Sequence, residues 1–184
     1  MIEIRPLLKL DADDIERVIT EHSTQECYRV NYSDSDEQTT FSLQLVSINP
    51  PRVGKYHHFD AAELERYAGM LKNGYAFGAY EGDILQGFII AEAREWNDSV
   101  WVWEFHVAGL QRGKGIGRGL MERIIVKAKS DGLRMIFCET QNTNVSAIKA
   151  YRKLGFRMEG IDISYYTNND FPDGEMAVFM KLRL

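Results

Sequence analysis

A chain of 184 residues with 45% hydrophobic content is long enough to bury one well-packed core and short for two. Its 27 acidic and 22 basic side chains leave a net charge of −5, which argues against general nucleic-acid binding. An acidic surface suits a cationic partner instead, such as a polyamine, an aminosugar or a lysine-like amine. Cys27 and Cys138 lie far apart and form neither a disulfide framework nor a metal-ligand spacing. The opening MIEIRPL has no basic leader or apolar core, and no apolar run approaches the ~18 residues of a membrane span. The expectation is one domain over residues 1–184, cytoplasmic, with reduced thiols and no membrane partner.

In chain order, Ile2 and Ile4 mark a short first strand over Met1–Arg5. Asp11–Thr20 reads as a helix capped by Asp11 or Asp13, with Ile15, Val18 and Ile19 as its buried stripe. Glu21–Gln38 is polar and acidic and reads as a solvated loop, with a mobile substrate-side loop as the alternative. Phe41–Ile48 is strand-like and is expected to end at Asn49-Pro50-Pro51. Asp60-Ala-Ala-Glu63 has the form of a capping box, and Leu64, Tyr67, Ala68 and Leu71 give the following helix its stripe. Strands are expected at Tyr75–Tyr80 and Ile84–Ala93, joined by the tight turn Glu81-Gly82-Asp83. His57-His58 and His106 have no cysteine or carboxylate cluster at ligand spacing, so no metal is expected.

The most informative stretch is Trp101–Arg123. Val102, Glu104 and His106 alternate with Trp101, Trp103, Phe105 and Val107, the period of a strand. Arg112-Gly113-Lys114-Gly115-Ile116-Gly117 then forms a glycine-rich loop before a helix carrying Leu120, Ile124 and Ile125. A helix start presents unpaired N–H groups and partial positive charge, and glycine lets the backbone close on an anion. A phosphate site follows as the functional reading. The P-loop pattern is absent, and the dinucleotide fingerprint fits only loosely from Gly113. Downstream, Leu133–Thr140 reads as a strand and Asn144–Leu154 as a helix, with Ala147, Ile148, Tyr151 and Leu154 on one face. Leu154-Gly155-Phe156 opens a further strand, and Ile161–Tyr166 with Met176–Leu182 makes a C-terminal pair. Strands alternating with helices in this half imply a parallel pair within a mixed α/β sheet.

The Arg-Gly-x-Gly-Ile-Gly loop after a strand resembles the pyrophosphate loop of the GCN5-related N-acetyltransferase (GNAT) superfamily. Asn144-Val-Ser-Ala-Ile-Lys-Ala-Tyr151-Arg-Lys-Leu154-Gly155-Phe156 is similar to the superfamily's second signature, and the two stand in the expected order. The resemblance covers residues 75–184 well and the first 70 in outline. Glu139-Thr140-Gln141 and Ala177-Val178-Phe179 look similar to the streptothricin acetyltransferase group. It implies an acyl-CoA N-acyltransferase fold, a central mixed sheet flanked by helices, in which a parallel strand pair splays apart to admit pantetheine. Acetyl-CoA is then the cosubstrate, and no metal takes part. Carried over residue by residue, Phe105, His106 and Val107 lie along pantetheine, and the N–H groups of Arg112, Gly113, Lys114, Gly115, Ile116 and Gly117 hold pyrophosphate. Asn144 contacts the pantetheine arm and Tyr151 lies near the sulfur, as general acid. Lys114, Lys149 and Arg152 are nucleotide-phosphate candidates on charge alone.

The implied reaction is direct acetyl transfer in a ternary complex to a primary amine of a small cationic acceptor, with a streptothricin-type antibiotic as the narrower reading. The alternatives are a protein N-terminal or lysine acetyltransferase and a non-catalytic acyl-CoA sensor. An ammonium has no lone pair, so a base must take its proton. Glu139 and Glu104 compete for that role, the alternative for each being substrate anchoring. Some superfamily members carry the base at the position of Trp101, which cannot titrate here. The Val107 N–H is a candidate oxyanion donor. Tyr165, Tyr166, Trp96 and Trp103 are candidates for an acceptor pocket, with the core or a homodimer surface as alternatives.

Overall fold

The computed structural model describes residues 1–20, 22–54 and 59–184. The His57-His58 pair and Glu21 lie outside the described residues. The elements run β1 (Ile2–Pro6), α1 (Ala12–Val18), β2 (His22–Asp34), β3 (Thr39–Gly54), α2 (Ala61–Met70), β4 (Ala76–Glu81), β5 (Ile84–Arg94), β6 (Ser99–Val107), α3 (Ile116–Ser130), β7 (Met135–Gln141), α4 (Val145–Lys153), β8 (Arg157–Asp162) and β9 (Ala177–Arg183). They fall into two compact units. The first holds residues 1–20, 56–138 and 182–184, and the second residues 21–55 and 139–181. Among the described residues, no helix is long and apolar enough to cross a membrane.

In the first unit, the strand order is β1-β4-β5-β6-β7. The first four strands pair antiparallel, and Ser99–Val102 of β6 pairs parallel with Met135–Cys138 of β7. Local chemistry sets the helix starts. Asp11 caps α1 by accepting from the Asp14 N–H. Asp60 and Glu63 form the full capping box of α2, at 2.8 and 3.1 Å. Leu7, Val18, Tyr67, Leu71, Phe88 and Ile90 form one buried cluster, which joins α1 and α2 to the sheet face presented by Phe88 and Ile90. The opposite face carries α3. A Cβ on Gly117 would stand 3.3 Å from the Phe105 ring, so glycine here lets the helix approach β6 closely. Gly87 serves the same face, because its Cβ would sit 2.9 Å from the His106 carbonyl and 3.3 Å from Ile116.

β6 departs from the simple alternation expected of it. Ile90 lies opposite Glu104 but Ala91 opposite Val102, so Trp103 is an extra residue, a β-bulge. Unbroken alternation would group Val102 with Glu104 and His106, and Trp101 and Trp103 with Phe105 and Val107. The register instead sets Glu104 opposite Ile90, His106 opposite Phe88 and Trp101 opposite Glu92, all on the α1/α2 face. Val102 shares the α3 face with Phe105, which lies opposite Ile89, and with Val107, opposite Gly87.

In the second unit, β2 and β3 form a long antiparallel hairpin, and β7, β9 and β8 are neighbours in that order. The solvated loop expected over Glu21–Gln38 is therefore corrected to a strand from His22 to Asp34, and Cys27 sits in it. Tyr28, Val30 and Tyr32 pair with Leu45, Leu43 and Phe41 on one face, while Arg29, Asn31 and Ser33 take the other. Nor does Pro50-Pro51 end β3. Thr24 pairs with Arg52 and Glu26 with Ser47, so Ile48–Pro51 oppose Gln25 alone in a wide bulge. Proline is tolerated there because the bulge asks for no ladder N–H. The C-terminal pair is also shifted, since β8 ends at Asp162 and residues 163–166 turn out of the sheet.

The second unit is tied together by Asn142, which is 3% exposed. Its backbone N–H donates to the Met176 carbonyl and its Oδ1 accepts from the Met176 N–H, both at 2.9 Å. Its carbonyl accepts from the Tyr28 N–H at 3.0 Å, and its Nδ2 donates to the Tyr28 carbonyl at 2.9 Å. One side chain thus satisfies buried backbone groups on two separate segments. Asn142→Ala would leave one buried donor and one buried acceptor unsatisfied, at ~1–3 kcal/mol each. The expected result is a lower urea midpoint at an unchanged denaturant slope. A midpoint equal to wild type would show that the clasp contributes nothing to stability.

Candidate active site

A short 3-10 turn at Gly109–Gln111 follows β6, and the glycine loop then leads into α3. Gly113 and Gly115 have φ of +79° and +88°, and a Cβ at either would meet nothing within 4 Å. Glycine is required there by backbone conformation rather than crowding. Gly115 is the N-cap of α3 and supplies no side-chain cap, so the first-turn N–H groups at Ile116 and Gly117 are available to an anion. This local structure fits a pyrophosphate. The Arg112 side chain anchors the loop from below, with Nε donating to the Val107 carbonyl and Nη2 to the Thr20 hydroxyl, both at 3.1 Å. Lys114 Nζ donates to Gln111 Oε1 at 3.0 Å.

On the other face of β6, Glu104 sits at the centre of a hydrogen-bonded group. Its Oε1 accepts from the Tyr67 hydroxyl, and its Oε2 lies 2.7 Å from His106 Nε2. The side chains of His106 and Glu104 are only 16% and 15% exposed. Tyr67 Oη also accepts from Arg66 Nη2 at 2.9 Å. Burial first, and then the Glu104 charge and hydrogen bond, push the Tyr67 hydroxyl well above the usual phenol range, so it stays a neutral donor. The Arg66 guanidinium covers the Trp103 ring at 5.0 Å, Arg94 covers Trp101 at 4.3 Å, and Trp103 Nε1 donates to Glu92 at 3.2 Å. The bulge is what brings these two tryptophans to the side of Glu104. Trp96 lies in a 3-10 turn and is 80% exposed.

The second unit carries the remaining sequence-predicted residues. Asn144 caps α4, its Oδ1 accepting from the Ala147 N–H at 3.2 Å and the Ser146 hydroxyl at 3.0 Å. Tyr151 is 7% exposed on the buried stripe of that helix, its ring 5.3 Å from Phe156. Glu139 accepts from the Tyr166 hydroxyl. Burial, then Glu139, push that hydroxyl far above the phenol range. Asp170 shapes the loop below Tyr166, accepting from the Tyr166 and Thr167 N–H groups at 2.8 and 2.9 Å and from the Thr167 hydroxyl at 2.6 Å. Tyr165 meets Tyr166 edge-on at 5.2 Å and Phe179 at 5.7 Å. Lys149 is committed to Glu26, and Arg152 lies 5.5 Å over the Tyr28 ring, so both of these phosphate candidates have protein partners.

Two residues of this architecture escape a reading of the sequence. Tyr67 has the spacing of a plain core residue, and Asn142 stands in a polar run before the α4 cap. Neither has a local signal, because each acts on a segment distant in sequence.

The acetyltransferase (GNAT) family profile matches residues 21–156. A streptothricin acetyltransferase of Streptomyces lavendulae is 32% identical over 186 aligned residues, taking in 98% of this chain and 94% of that one. The crystal structure of a nourseothricin acetyltransferase shares the fold at a TM-score of 0.79 and 28% identity, over 99% of this chain and 98% of that one. A Bacillus anthracis protein solved in complex with acetyl coenzyme A shares it at a TM-score of 0.72 and 23% identity, over 100% and 98% of the two chains. With a family match over most of its length and a relative 32% identical along nearly all of it, the chain belongs to the acetyltransferase (GNAT) family and is an N-acetyltransferase that uses acetyl-CoA as cosubstrate.

Proposed function

We propose that this protein acetylates a primary amine of a small cationic acceptor of the streptothricin type, by direct transfer in a ternary complex, with residues 1–184 as a single cytoplasmic domain. The observation that carries the substrate class is the likeness to the Streptomyces lavendulae enzyme over nearly the full chain, the hairpin of β2 and β3 included. Acidic and aromatic side chains support it. Glu104 lies among tryptophans stacked by arginines, and Glu139 lies beside Tyr165 and Tyr166, groups that attract ammonium ions.

In this reading the backbone N–H groups of residues 112–117 hold pyrophosphate. Phe105, His106 and Val107 contribute their strand backbone to pantetheine. Asn144, whose Oδ1 is used in capping, offers its amide N–H to the same arm. Bound acetyl-CoA supplies an activated thioester. The acceptor amine is almost wholly protonated at neutral pH, with a pKa of about 10. Glu104 supplies the negative charge that draws this proton away, and Glu139 with Tyr166 anchors the acceptor. The neutral nitrogen then forms the new N–C bond as the C–S bond breaks. The Val107 N–H steadies the developing oxyanion, and the Tyr151 hydroxyl protonates the departing sulfur.

Thiol release with acetyl-CoA and a panel of amines tests the substrate class. Strong turnover of streptothricin over aminoglycosides, polyamines, free lysine and peptides is expected. Preference for a peptide α-amine or lysine would replace the proposed class with a protein acetyltransferase. Tyr151→Phe is expected to lower kcat ~10²-fold or more while leaving acetyl-CoA affinity nearly unchanged. Wild-type turnover would remove Tyr151 from the acid role. Gly115→Ala forces a Cβ into left-handed backbone at ~1–2 kcal/mol, so acetyl-CoA affinity measured by calorimetry should fall about tenfold or more.

A further inference from the structure

We propose that the cleft at the wide bulge of the β2–β3 hairpin holds a non-reacting, hydroxyl- and amine-bearing ring of the substrate, of the aminosugar class. This rests on the acetyltransfer reading above and gives the substrate a second point of recognition.

The cleft lies wholly within the second unit. Its walls are Gln25 and Glu26 of β2 and Ser47, Ile48, Asn49 and Pro51 of β3. Its volume of about 510 Å³ falls in the ~300–1,000 Å³ range of small-molecule sites. The bulge creates it. Thr24 pairs with Arg52 and Glu26 with Ser47, so Gln25 alone stands against Ile48–Pro51. On the β2 side the Thr24 hydroxyl donates to the Glu26 carbonyl at 2.8 Å and accepts from the Glu26 N–H at 3.2 Å. That local pair of bonds closes β2 across Gln25, while β3 spends four residues on the same span.

The chemistry of the walls selects a ligand rich in hydrogen-bond donors. Ile48–Pro51 carry four carbonyls but only two N–H groups, since Pro50 and Pro51 have none. Gln25 can match one of those carbonyls with its own N–H, so the segment holds a surplus of carbonyl oxygens. The Gln25 and Asn49 side-chain amides and the Ser47 hydroxyl both donate and accept. Glu26 adds a carboxylate. Lys149 of α4 engages its Oε2, and Oε1 remains open to an N–H donor among the described residues. The ion pair leaves the cleft little net charge, so a bare polyamine gains little there. Ile48 and Pro51 supply apolar wall for the C–H face of a saturated ring. A ring with hydroxyls on its rim and one ammonium meets all of these demands.

Placement ties the cleft to the reaction. Glu26, Ser47, Tyr28 and Leu45 share one face of the hairpin by register. Helix α4 meets that face, with Lys149 at Glu26 and Arg152 5.5 Å over the Tyr28 ring. Tyr28, ~7 Å along β2 from Glu26, is clasped by Asn142. Two residues after the clasp, Asn144 caps the helix that carries Tyr151.

Two measurements test the assignment. In full-length ¹⁵N-labelled protein without acetyl-CoA, glucosamine should shift the backbone amide signals of Gln25, Glu26, Ile48 and Asn49. Putrescine at equal concentration should not. Absence of the glucosamine shifts, or equal shifts from putrescine, overturns the proposal. The double variant Gln25→Ala/Asn49→Ala changes two exposed side chains and should lose the shifts at Glu26 and Ile48. With streptothricin as substrate, the same variant should raise the streptothricin KM about tenfold, with kcat and the KM for acetyl-CoA within twofold. A folding defect would lower kcat and leave both KM values in place, so the split reads recognition alone. A streptothricin KM at the wild-type value overturns the proposal. Absence of turnover on every amine by wild type, with the glucosamine shifts present, would sink the acetyltransfer reading instead.

Discussion

The extra residue in β6 governs what the first unit can do. Strands alternate strictly, so a one-residue insertion exchanges the faces of everything beyond it. At Trp103 the exchange gathers Trp101, Trp103, Glu104 and His106 on the face covered by α1 and α2. It leaves Val102, Phe105 and Val107 to pack under α3. The apolar side of the strand supports the helix whose start presents the N–H groups of the glycine loop. The polar side carries the carboxylate and imidazole. The side that supports the glycine-loop helix and the side that carries Glu104 and His106 are thus the two faces of one strand.

Glycine and arginine make that division possible at close quarters. At Gly87 a side chain would strike the His106 carbonyl, and at Gly117 it would press on Phe105. Without a Cβ at these two positions, β5, β6 and α3 pack closely on one face. Arg112 then holds the intervening loop through the Val107 carbonyl and Thr20. Its guanidinium is a staple between the strand end and Thr20. A charge count alone would have given it the opposite role.

The second unit depends on a different device. Asn142 does with one residue what a strand does with several, its side-chain amide and its backbone together offering a donor and an acceptor to each of two segments. The hairpin at Tyr28 and the approach to β9 at Met176 are held by it in a buried setting where solvent cannot substitute. Two residues later, Asn144 caps α4 and starts the helix that carries Tyr151. Clasp and cap are parts of one short turn, so the position of Tyr151 inherits the order imposed at Asn142.

Local chemistry wrote much of this into the chain. The caps at Asp11, Asp60 and Asn144, the glycine loop, the helix stripes and the two ordered family motifs are short-range patterns, and each produced the element expected of it. The family and its cosubstrate followed from those motifs. Tertiary structure alone decided the rest. The Tyr28-Val30-Tyr32 alternation was hidden by acidic neighbours until Leu45, Leu43 and Phe41 were paired against it. Pro50 and Pro51 read as a strand end until a bulge gave them a place without ladder bonds. The faces of β6 depended on its register with β5, and the Tyr67 partner of Glu104 came from a helix 37 residues upstream. A bulge, a clasp and a carboxylate's neighbours are long-range hydrogen-bond choices, and no local propensity encodes them.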